Sequence, residues 1–145
     1  MKFAKEHNFL HISMGDILRA EIESGSKDSE LIKETIEQGG CLPFEFFWGF
    51  VERDIRKAGW SRNVFLDGFP RSEQNNEEWW STQSRKFNFG GLIHFDADEE
   101  TVTERILKRA ETSGRIDDNV EALQKRLKKF SDEQVPMIKR YEEKE

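Results

Sequence analysis

The chain has 145 residues, the length of one domain, with 35% hydrophobic and 36% charged side chains and a formal net charge of −6. That balance argues against a nucleic-acid binder, which usually carries a basic field, while leaving room for a local arginine pocket that holds phosphates. No apolar run reaches the length of a membrane helix, and the opening MKFAKEHNFLHI has no long apolar signal core. The single cysteine, Cys41, cannot form an internal disulfide, so a reducing, cytoplasmic setting is expected, with no membrane or nucleic-acid partner.

In chain order, Phe9-Leu10-His11-Ile12 predicts a short strand, followed by a helix from Gly15 to Ser24. A second helix runs from Glu30 to Gln38, ended by Gly39-Gly40. Pro43 suits the first turn of a third helix reaching about Ala58. Asn63 to Leu66 predicts the second strand, closed by Asp67-Gly68, and Glu73 to Gln83 a helix. Leu92 to Phe95 predicts a third strand, after which Asp98 caps a helix running to about Ala110. A polar loop from Thr112 to Asp118 leads into a helix with Val120, Leu123, Leu127 and Phe130 on one stripe. Ser131 and Gln134 have capping-box spacing and are expected to restart a last helix toward Tyr141. His7, His11 and His94 lack metal-ligand spacing and read as ordinary structural or surface residues.

Short strands separated by helices predict an α/β domain with a mostly parallel sheet, whose ligands bind beyond the carboxyl ends of the strands. Ser13-Met14-Gly15-Asp16 and Asp67-Gly68-Phe69-Pro70-Arg71 fall at those ends. Arginine is suited to that place because its planar fork grips phosphate oxygens and keeps its charge. Arg71 sits in a glycine- and proline-restricted turn. Arg105 and Arg109 are four apart on one helix, Arg115 is on the next loop, and Arg126 is on the next helix. Convergent arginines suit phosphoryl transfer, where a protein positions groups and neutralises spreading charge. Arg53, Arg56, Arg62, Arg85 and Arg140 read as solvated surface charges.

Three segments, HISMGDILRAEIESGSKDSELI, FLDGFPRSEQNNEEW and TERILKRAETSGRIDDNVEALQKR, resemble successive signatures of the UMP-CMP kinase family within the adenylate kinase superfamily. The resemblance spans roughly Phe9 to Tyr141. It implies a three-layer parallel sheet with helices on both faces, ATP as co-substrate, Mg2+ as cofactor, and a nucleoside monophosphate (UMP, CMP or AMP) as acceptor. It places Ser13, Arg19, Gly40, Cys41, Leu42, Gly68, Arg71 and Asn75 at the monophosphate site, within a segment of about residues 13–42 and the turn after the second strand. Asp67 would orient magnesium-bound water. Arg105 would lie against the ATP base, and Arg109, Arg115 and Arg126 would clamp the transferring phosphoryl group. Residues 110–118 resemble a mobile lid that excludes water. Asp117 and Asp118 are expected either to hold lid arginines and cap the next helix or to touch ligand. Asn75 stands where adenylate kinases typically carry glutamine. Its amide, both donor and acceptor, can read uracil or cytosine, which resembles the pyrimidine branch.

Two departures bear on that expectation. No G-x-x-x-x-G-K run occurs in the chain, so the family's first, central strand with its phosphate loop is expected to be missing, as is its last strand. Met1 to Glu6 would fall in the helix after that loop. The strands at 63–66 and 92–95 would then face a gap about one strand wide, roughly 5 Å per spacing. A fragment or faulty gene model, a strand donated by a partner chain, and direct pairing of the two strands all stay open. The second departure is Phe44-Glu45-Phe46-Phe47-Trp48-Gly49-Phe50, where family members usually place smaller residues. Phe44, Phe47, Trp48 and Val51 form a candidate buried stripe, and the alternative is a contact surface for another protein; Trp79-Trp80 admits the same readings. Two further functional readings remain: a catalytically inactive kinase-like subunit of an assembly, and a nucleotide-binding sensor that keeps the monophosphate pocket.

Overall fold

The structure, a computed structural model, describes residues 2–38 and 40–143. It is an α/β chain whose described elements are α1 (Lys2–Glu6), β1 (Leu10–Ser13), α2 (Met14–Glu23), α3 (Ser29–Glu37), α4 (Phe44–Ala58), β2 (Val64–Asp67), α5 (Glu73–Glu78), α6 (Glu99–Ser113), α7 (Val120–Lys129) and α8 (Val135–Glu142). Among the described residues no helix is long and apolar enough to cross a membrane. The chain divides into two compact units, 1–33 with 42–70, and 34–41 with 71–145.

The first unit is built on a parallel pair, β1 beside β2, with Leu10 opposite Val64 and Ser13 opposite Asp67. Helices α1, α2 and α4 pack against β1. The core is Ala4, Ile12, Met14, Ile17, Ile32 and Leu42 with one face of α4, namely Phe44, Phe47, Trp48, Val51 and Ile55. Those α4 positions recur at helical spacing, so a single apolar stripe drives the helix onto the sheet. Phe44 stacks on Trp48 with ring centroids 5.2 Å apart. The expected stripe is therefore core, extended by Ile55. Pro43 precedes α4 as its N-cap residue, with no side-chain cap bond, instead of lying inside the first turn. The segment ahead of β1 is helical over Lys2–Glu6, as expected.

In the second unit, Trp79, Ile106, Ala122, Leu123 and Met137 are buried together with three polar residues, Ser72, Asn75 and Asp118. Helix α5 is capped by Ser72, whose Oγ accepts the Asn75 N–H at 3.1 Å, and continues through a wider π turn at Trp79–Gln83. Asp98 caps α6 as expected, its Oδ1 accepting the Thr101 N–H at 2.7 Å and holding the carboxyl below the usual carboxylate range.

Several expectations are corrected. Leu92 to Phe95 is not a strand: Ile93 is 61% and Phe95 76% exposed. An extended segment needs a neighbouring strand to satisfy its N–H and C=O groups. Among the described residues none pairs with it, and β2 pairs only with β1, so direct closure of the expected gap does not occur. Helix α6 runs past Ala110 to Ser113 and ends on left-handed Gly114, φ 62°. Ser131 does not restart a helix, since α7 passes through a π turn, Phe130–Gln134, directly into α8. Val120 is 55% exposed, with Ala122 buried instead. Trp79 is core, whereas Trp80 is exposed. Gly39, expected to stop α3, lies outside the described residues.

Candidate active site

The first unit carries the carboxyl ends of both strands. The register sets Ser13 beside Asp67, with Gly68 following at φ 78°, a left-handed conformation that a side chain would strain. Ser13 opens α2, and its Oγ accepts the Asp16 N–H at 3.4 Å. Arg19, one turn on, folds back toward the start of α2 and ion-pairs with Asp16. Gly15 leaves room for this: a Cβ there would lie 3.0 Å from both Arg19 terminal nitrogens, so the guanidinium would have to shift by a few tenths of an ångström. Asp67 presents an exposed carboxylate whose Oδ2 lies 3.2 Å from His11 Nε2. Leu42 is buried and contributes to the core of this unit. The sequence reading set Gly15 in the signature after the first strand without giving it a role, and read His11 as an ordinary structural or surface residue without naming its partner Asp67. The G-x-x-x-R spacing and the two-residue step from His11 to Ser13 along the strand were the available signals.

A single exposed carboxylate beside a phosphate-type turn fits Mg2+, which keeps most of its waters and takes one or two carboxylates together with phosphate oxygens. Asp67, at the end of β2, has that character.

In the second unit, Gly40 and Cys41 follow α3, Gly40 exposed and Cys41 partly so. Arg71 is exposed, and its backbone N–H donates to Asn75 Oδ1 at 3.4 Å, so the buried Asn75 amide closes the turn after the Phe69-Pro70 pair. The centre of the unit is an arginine–aspartate constellation. Arg109 grips Asp118 through two bonds, Nε to Oδ2 at 2.9 Å and Nη2 to Oδ1 at 2.5 Å. Ser113 Oγ donates to the same carboxylate at 2.6 Å and accepts the Arg115 N–H at 3.2 Å. Arg126 Nη1 donates to Asp117 Oδ2 at 3.2 Å. Asn119, not either aspartate, caps α7, its Oδ1 accepting the Ala122 N–H at 2.9 Å. Both aspartates are thus spent on arginines. Arg105 lies on the exposed side of α6 within reach of the Asp98 charge.

The electrostatics report convergence. Bonding to Arg109 holds the Asp118 carboxyl below its usual range against the cost of burial, helped by Ser113 and the Arg115 charge. Burial lowers the Arg126 pKa, and the charges of Arg71 and Arg109 lower it further while Asp117 and Asp118 act in opposition. Arg109 and Arg126 bond the two carboxylates, and the charges of Arg71 and Arg115 also act on this cluster, so positive charge is in excess. Asp117 Oδ1 is itself buried with no hydrogen-bond partner among the described residues. A partly desolvated positive excess of this kind is relieved by an incoming polyanion, and it stabilises charge that spreads over a moving phosphoryl group.

Comparison with known proteins sets the class, nucleoside monophosphate kinase. The adenylate kinase family profile matches residues 1–145, and the chain belongs to that family. It is 38% identical over 143 residues to adenylate kinase isoenzyme 1 of Bos taurus, spanning 97% of this chain and 72% of that protein. It is 34% identical over 147 residues to the UMP-CMP kinase of Mus musculus (98% and 75%), and 35% identical over 140 residues to UMP-CMP kinase 3 of Arabidopsis thaliana (97% and 67%). Overall identity therefore does not separate the adenine and pyrimidine branches.

Proposed function

We propose that the chain acts on pyrimidine acceptors, moving the terminal phosphoryl group of ATP to UMP or CMP. The observation that carries phosphoryl transfer is the arginine–aspartate constellation with its excess of positive charge. The choice of base rests on Asn75, buried in the turn that also holds Arg71. Its amide can present a donor or an acceptor to the pyrimidine edge, and its 3.4 Å bond to the Arg71 N–H is long enough to yield to a base.

In this reading Ser13, Arg19, Gly68 and Arg71 bind the acceptor, with Gly40, Cys41 and Leu42 offering backbone around sugar and base. Arg109, Arg115 and Arg126 neutralise the charge that spreads over the phosphoryl group, and Arg105 lies against the ATP base. Residues 110–118 act as a lid that excludes water, the competing acceptor. Mg2+, when bound, supplies charge neutralisation at the ATP phosphates, and Asp67 would hold it through water. No G-x-x-x-x-G-K run occurs in these residues, so what they provide is the acceptor side and the transfer arginines.

A coupled assay with ATP, Mg2+ and UMP or CMP tests the proposal. UDP or CDP formation is expected. Arg126→Ala should lower kcat about 10²- to 10³-fold with a smaller change in the acceptor KM, because its charge acts on the moving group. No transfer to any monophosphate, even with a G-x-x-x-x-G-K segment joined ahead of Met1, would overturn the kinase reading.

A further inference from the structure

Helix α5 with the π turn that continues it runs only from Glu73 to Gln83, too short to hold its own orientation, so tertiary contacts set the direction in which its first turn points. Two neighbouring residues near the end of α8 seize that turn. The Tyr141 hydroxyl donates to Asn76 Oδ1 at 2.5 Å, and Arg140 ion-pairs with Glu73. Asn76 Nδ2 donates to Glu73 Oε1 at 3.1 Å and ties the two contacts together. The hydroxyl also accepts the Trp80 indole N–H at 2.9 Å. Phe89 closes the cluster, 5.2 Å from the Trp80 ring and 6.2 Å from Tyr141. One turn before Tyr141, the buried Met137 anchors α8 on the same face, so the tyrosine has a fixed base.

The held residue, Asn76, adjoins Asn75. Asn75 is bonded through its N–H to Ser72 and through its side chain to the Arg71 N–H. Rotation of the first turn of α5 therefore moves Asn75 and the Arg71 backbone together. Resting on the acceptor reading above, we propose that Tyr141 is a positioning residue for base selection: its hydroxyl fixes Asn76, and through it the turn that presents Asn75 and Arg71 to a pyrimidine monophosphate. Tyr141 does not touch the ligand.

A hydroxyl that serves stability alone would weaken all acceptors alike when removed, whereas one that aims Asn75 changes the preference between bases. Calorimetric titration of the full chain with UMP and with AMP separates the two. Tyr141→Phe should weaken UMP about tenfold, the loss of roughly one hydrogen bond, while AMP changes less than about twofold. Asn76→Leu removes the same bond from the other side and carries the same prediction should Tyr141→Phe fail to fold. In the double variant the two losses should not add. Equal weakening of UMP and AMP, no weakening, or additive losses would overturn the inference. Failure of the unaltered chain to bind UMP would instead remove the acceptor reading, and this inference with it.

Discussion

Asp118 shows how much of the site one side chain organises. Its carboxylate receives Arg109 twice and Ser113 once, and Ser113 in turn receives the Arg115 N–H, so one buried group orders Arg109 and two residues of the candidate lid. Its folded pKa lies below the ordinary value of about 3.9. A lowered folded value means that its contribution to stability is complete above about pH 4 and is lost as pH falls through the folded value. Asp118→Asn should therefore cost about 1–3 kcal/mol at neutral pH, and the gap from the unaltered chain should narrow as acid is added. Urea melts at pH 7 and pH 3 check this; a gap that does not change with pH would contradict it. The arginines were legible in the sequence because they sit in motifs that anchor them. Their partners were not: either aspartate could have capped α7, and only the fold shows that Asn119 takes the cap while both aspartates hold arginines. The contacts of His11, Asn76 and Tyr141 were hidden because these partners lie 56 or more residues away in the chain.

At the scale of elements, helix α4 was the most legible, since an apolar stripe at helical spacing names its own buried face. Trp48 is central to it, stacked on Phe44 and donating its indole N–H to Glu52 at 3.3 Å. Trp48→Ala should destabilise the first unit by about 3–5 kcal/mol. Chemical denaturation read by circular dichroism measures the loss, and a loss under about 1 kcal/mol would show that the stripe is not core. Phe44, Phe47 and Trp48 pack against Phe69, which directly follows Gly68, at 5.8 to 6.1 Å, so α4 also braces the turn after β2. The segment 92–95 shows the limit of pattern reading. Leu-Ile-His-Phe has strand propensity, but a strand is a property of a pair, and among the described residues no partner lies beside it. The π turns at Trp79–Gln83 and Phe130–Gln134 were equally hidden, because one extra residue in a helical turn leaves no mark on the apolar period that a short window can resolve.

For the whole molecule, the candidate residues divide between the two units. The strand ends, Ser13, Arg19, Asp67 and Gly68 belong to one, and Arg71, Asn75, Arg109, Arg115 and Arg126 to the other. Family membership was legible because motifs from both units occur in the right order along the chain. The proposed choice of base was less so, since the proposal rests on one amide and on the contacts proposed to aim it. A single competition reaction tests that choice most directly. The chain is given equal UMP and AMP with limiting ATP and Mg2+, and the ratio of UDP to ADP formed reports the ratio of the two kcat/KM values. The account predicts UDP in excess by about tenfold or more, the margin expected when a buried amide is matched to one base and not the other. ADP in excess would contradict it.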